Sequence, residues 1–264
     1  MVIMPRLSVT TSATAHLKGG GALYTIPGPV ILDLNSQRDL LAPDGAYPIF
    51  QAEKLFDPLK RLFTLAHRSH IPVVSTRLQN LIAPGQRGNN RLICNPNTPG
   101  YEKMPFTLLR RRTEWPLDCG TNLPVEGFRT VQQFVFDLPS LNLFESPRLD
   151  RLLSEATFEL LLIVGMPVEW TVRTAVLGLL ARRHKVAMVS DAIGMWDPYE
   201  GDMALRQIES KNIEWLTVDQ VAERYGAQNK SRATRLARAK ARATQGNVPA
   251  KPHSSKTPRG AFRI

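Results

Sequence analysis

The chain has 264 residues, 43% of them hydrophobic, with 34 basic and 23 acidic residues and a formal net charge of +11. Residues 227–264 carry ten basic residues and no acid, so residues 1–226 hold 24 basic and 23 acidic residues and a charge of only +1. No run of about 18 apolar residues is present, which excludes a transmembrane helix, and the two cysteines are too few for a disulfide framework.

In chain order, residues 1–27 are rich in Thr, Ser and Gly and read as a flexible arm with no signal-peptide pattern. Val30-Ile31-Leu32 before Asp33 is a short buried strand. After a Pro43-Asp44-Gly45 turn, Leu55, Leu59, Leu62, Phe63 and Ala66 recur at helical spacing, predicting a helix over 51–69. Ile71–Ser75 follows as a strand. Residues 80–125 are irregular, a length that usually packs over a site. Phe134–Phe136 reads as a strand, 147–158 as a helix and 160–164 as a buried strand. A tight turn at Gly165-Met166-Pro167 leads into a helix over 170–183. Strand 185–190, helix 199–210, strand 213–216 and a helix at 219–225 capped by Thr217 or Asp219 complete the pattern. Strand and helix alternate, which predicts one α/β domain over 28–226, a three-layer doubly wound parallel sheet. The tail 227–264 is basic and Pro/Ser-rich and is expected to be disordered.

Open α/β sheets bind ligands beyond the carboxyl ends of their strands, where helix starts present free N–H groups. Five segments stand out in chain order: Val30–Asp33 with Gln37-Arg38-Asp39-Leu40, Cys94–Gly100, Leu141–Pro147, Val164–Pro167, and Val189–Ala192. Together they resemble the isochorismatase-like cysteine hydrolases, over about residues 28–225. The resemblance implies an isochorismatase-like fold and a Cys-Asp-Lys site in which an aspartate deprotonates a cysteine, a lysine supports the charges and backbone N–H groups hold the oxyanion. It places the aspartate at Asp33, the nucleophile position at Thr171 and the lysine position at Leu138. The oxyanion turn and pocket fall on Met166, Pro167 and Trp170, with a cis bond before Pro167. A hydroxyl is far harder to ionise than a thiol, so impaired chemistry is expected, with a pocket for a small carbonyl or amide compound retained.

Thr171 also reads simply as a helix-start residue satisfying backbone donors, and Asp33 as a strand-end carboxylate holding a loop. Two rival functions stand beside the first. One is an active hydrolase with a displaced nucleophile, Cys94 or Cys119. The other is a non-catalytic homo-oligomer tethered to nucleic acid or another polyanion by its tail. Relatives that hydrolyse nicotinamide carry Asp-x-His-x-His where this chain has Ser75–Asn80, so no metal and no cofactor are expected. His67 and His70 read as helix-end residues near terminal carbonyls. Arg110-Arg111-Arg112 reads as a solvated run or, folded over the pocket, an anion site. A cytoplasmic location without membrane contact is expected.

Overall fold

The computed structural model describes residues 24–82, 92–118, 120–124 and 127–226. Seven parallel strands form one sheet in the order β5-β6-β2-β1-β7-β8-β9. They are β1 (Tyr24–Leu34), β2 (Val73–Leu78), β5 (Arg112–Trp115), β6 (Gln133–Leu138), β7 (Ala156–Gly165), β8 (Val186–Ile193) and β9 (Glu214–Leu216). β3 (Leu81–Ile82) and β4 (Leu92–Ile93) make a small antiparallel pair apart from it. The helices α1 (Arg38–Leu41), α2 (Phe56–Ser69), α3 (Pro147–Glu155), α4 (Arg173–Ala181), α5 (Pro198–Glu209) and α6 (Val218–Tyr225) flank the sheet, α2 against α6 and α4 against α5. This is the expected fold class. No helix among the described residues is long and apolar enough to cross a membrane.

The central strands are buried on both sides, as parallel strands under two helical layers must be. Val30, Ile31, Leu32 and Leu34 of β1 and Leu161–Val164 of β7 are fully buried. β1 extends further back than the apolar run suggests. Tyr24–Ile26 pairs with Ala156–Phe158 across a bulge before Pro29, so the sheet takes in residues read as part of the arm. β2 also runs past Ser75 to Leu78, and every residue of it is buried. Its polar side chains are tolerated because each finds a partner. Within the irregular stretch lies β5, a short edge strand too polar to read from its sequence. The other predicted strands and helices are present with ends shifted by a few residues. Residues 156–158, read as the end of a helix, are strand instead. Thr217 caps α6 in a reciprocal box with Gln220.

β1 lies between strands that leave it in opposite directions, β2 toward one edge and β7 toward the other. Such a reversal marks the carboxyl ends of β1 and β7 as the place where open α/β sheets bind ligands. The turn after β7 fits because of Gly165. At φ +108° it occupies a conformation L side chains avoid, and a Cβ there would lie 2.0 Å from the Leu34 carbonyl.

Candidate active site

At the carboxyl end of β1, Asp33 is completely buried. Its Oδ2 accepts from Ser75 Oγ and ion-pairs with Lys103 Nζ, each at 2.8 Å. Lys103 is 1% exposed and also donates to the Thr76 carbonyl at 3.1 Å. Burial pulls the Lys103 pKa down, and the Asp33 carboxylate opposes that by favouring the charged ammonium. Gln133 holds Ser75 from behind, its Nε2 donating to Ser75 Oγ at 2.9 Å. Asp33 Oδ1 is buried and has no hydrogen-bond partner among the described residues.

The lysine at this carboxylate comes from the loop between Pro99–Tyr101 and Pro105–Thr107, two single 3-10 turns. That loop runs antiparallel to the chain leaving β1: Arg38 N–H donates to the Glu102 carbonyl and Met104 N–H to the Ser36 carbonyl. Gln37 locks the arrangement, its Nε2 donating to the carbonyls of Leu78 and Tyr101 at 2.9 Å. Leu138, the position the resemblance assigned to the lysine, is the fully buried last residue of β6, in register with Leu78. The cation that pairs with Asp33 is therefore Lys103, from another segment of the chain. The Cys94–Gly100 motif stops three residues short of it, and nothing local in the sequence marks its target.

Thr171 lies in a wide helical turn, Val168–Val172, that feeds α4. It is fully buried, and its Oγ1 accepts from Asn35 Nδ2 at 3.1 Å rather than capping the helix. Asn35 Nδ2 also donates to the Met166 carbonyl at 3.1 Å, and Asn35 exchanges two hydrogen bonds with Thr76 Oγ1. Asn35 holds φ +56°, a left-handed conformation that Asn adopts more readily than most residues. The Met166–Pro167 bond is cis, and both residues are buried. The Met166 and Val168 N–H groups donate to the carbonyls of Leu34 and Gly194, so neither is free for an oxyanion. Trp170, expected to line the pocket, is 46% exposed, because one helical step from the inward Thr171 turns it to the surface. Its neighbour Glu169 is buried instead, with Oε1 accepting from the Trp196 and Asp197 N–H groups.

The other candidates make different contacts. Cys94 is buried at φ +54° with its N–H on Asp39 Oδ2 at 2.6 Å. Burial, and then the Asp39 charge, push its thiol well above the usual range. A thiol so held resists ionisation, which counts against Cys94 as a displaced nucleophile. Cys119 lies outside the described residues. Arg77 fills the segment matched to Asp-x-His-x-His and pairs with Asp137 at 2.8 Å and Glu114 at 2.9 Å. The Tyr101 hydroxyl donates to the other oxygen of Asp137, tying the Lys103 loop to β2 and β6.

The fold and this buried aspartate–lysine pair define an α/β protein with its polar site at the sheet's carboxyl edge. Residues 30–220 match the isochorismatase domain family, to which the chain belongs. It is similar to solved structures, at identities that speak for the fold alone. Pyrazinamidase of Pyrococcus horikoshii, in complex with zinc, shares 22% identity at a TM-score of 0.53, covering 72% of this chain and 99% of that one. Nicotinamidase/pyrazinamidase of Bacillus subtilis shares 13% at 0.54, covering 71% and 98%. An octameric hydrolase of unknown specificity from Escherichia coli shares 15% at 0.51, covering 74% and 77%. No curated protein shows significant sequence similarity to the chain. A zinc ion does not fit this chain's residues: Ser75–Asn80 offers no histidine, and Arg77 brings a cation there. Among the described residues no three His, Cys, Asp or Glu side chains are grouped to hold a metal.

Proposed function

We propose that this chain is an isochorismatase-like family protein that has lost thiol hydrolysis but kept the charged half of the site, and that it binds a small carbonyl or amide compound there. The observation that carries the reading is Thr171 at the nucleophile position, buried and hydrogen-bonded to Asn35. A threonine hydroxyl needs a base to attack a carbonyl, and the Oγ1 hydrogen bond in place comes from an amide donor. Asp33 Oδ1, without a partner among the described residues, supports an amide ligand, because an N–H donor would satisfy an acceptor that is costly to leave bare.

Assays with nicotinamide, pyrazinamide and isochorismate at high protein concentration are expected to show no turnover. Rates in the ordinary range of about 1–1,000 per second would refute the reading. Thr171→Cys alone is expected to produce slow hydrolysis, since Lys103 and Asp33 already stand together. If only Thr171→Cys combined with Leu138→Lys were active, the role given to Lys103 would fall.

By analogy with the octameric relative, the chain is proposed to be a homo-oligomer. The ten positive charges of residues 227–264, which lie outside the described residues, are proposed to bind nucleic acid or another polyanion weakly and with steep salt dependence.

A further inference from the structure

At the amino-terminal edge of the sheet, away from Asp33, a cleft of about 330 Å³ is lined by His67, His70, Arg110, Arg111 and Gln132. Among the described residues no carboxylate lines it. Neither Arg110 nor Arg111 has an ion pair among the described residues, whereas Arg112 next along is paired with Glu114. Two arginines thus line one cleft without an ion-pair partner among the described residues.

The frame around them is anchored. Arg111 donates to the Thr130 carbonyl at 2.5 Å, which fixes one side of its fork. Gln132 Nε2 donates to the carbonyls of Ala66 and Ile71. His70 closes α2 in a left-handed conformation, φ +52°, with its N–H on the Ala66 carbonyl. Each imidazole carries at least one N–H donor in either protonation state. The planar guanidinium fork can donate to two oxygens of a phosphate at once, which a point cation does not do with fixed geometry.

We infer that this cleft binds the phosphate group of a small phosphorylated ligand, its two negative charges matched by Arg110 and Arg111. The site is independent of the Asp33 site and of the basic tail. The test is calorimetric titration of the full-length chain with inorganic pyrophosphate, with acetate for comparison. One saturable site is expected, bound at least about tenfold more tightly than acetate. Arg110→Ala, which removes a side chain with no partner among the described residues, is expected to weaken it about tenfold while leaving the melting temperature unchanged. The ring resonances of His67 and His70, assigned with His67→Gln and His70→Gln, should move on addition of pyrophosphate. No saturable binding at millimolar pyrophosphate, or equal binding by Arg110→Ala, would overturn the inference. Movement of other histidine resonances alone would also overturn it.

Discussion

Asp33 and Lys103 are both removed from solvent, so each depends on the other for its charge to be tolerated. Breaking such a pair costs more than replacing it, because the remaining ion is left uncompensated. Lys103→Met is expected to lower stability by about 3–5 kcal/mol. Adding Asp33→Asn should recover part of that loss, and denaturant unfolding of the single and double variants measures the coupling. Additive effects would show that the two groups do not interact. Cys94 gives a pH dependence. Its folded pKa is raised by burial above the ordinary value of 9.0, so the folded thiol holds its proton where the unfolded one loses it. The unfolded state then binds fewer protons, and stability falls as pH rises above about 9, by up to about 1.4 kcal/mol per pH unit. Cys94→Ala should remove that share of the alkaline loss. In a Cys119→Ser background, the native protein should resist thiol alkylation at pH 8.

The element that shapes the site is the turn joining β7 to α4. Gly165→Ala would set a methyl against the Leu34 carbonyl in a conformation that disfavours it, so backbone must move. A large loss of stability, over about 3 kcal/mol, is expected for a clash joined to strain at a buried turn. An unchanged denaturation midpoint would mean that the turn adapts. At the far end of the domain, Thr217→Ala removes one half of the capping box of α6 and should cost about 1 kcal/mol. Strand and helix order was legible because long apolar runs and helical spacing carry their own signal. β5 was not, since Arg112-Thr113-Glu114-Trp115 becomes a strand only through pairing with β6 and packing of Trp115 on Phe134 and Phe136. The tail half of β2 was hidden for the same reason. Thr76 and Arg77 look solvated until Asn35 and Asp137 are placed beside them.

At the scale of the molecule, light scattering with size-exclusion chromatography is expected to give a mass several times the 29.5 kDa of one chain; a strictly monomeric mass would remove the proposed assembly. The amino-acid sequence by itself determined the layered parallel fold, the position of Asp33 at a strand end and the absence of cysteine at residue 171. Those depend on local periodicity and on landmarks read in order along the chain. Only the tertiary structure decided which cation faces Asp33, which way Thr171 and Trp170 point, and what the threonine hydroxyl is bonded to. Lys103 is 70 residues from Asp33 and reaches it only because the loop carrying it pairs with Ser36–Arg38 and is held by Gln37. An ion pair closed through a loop leaves no periodicity in the sequence, so Lys103 became visible only once the chain was folded.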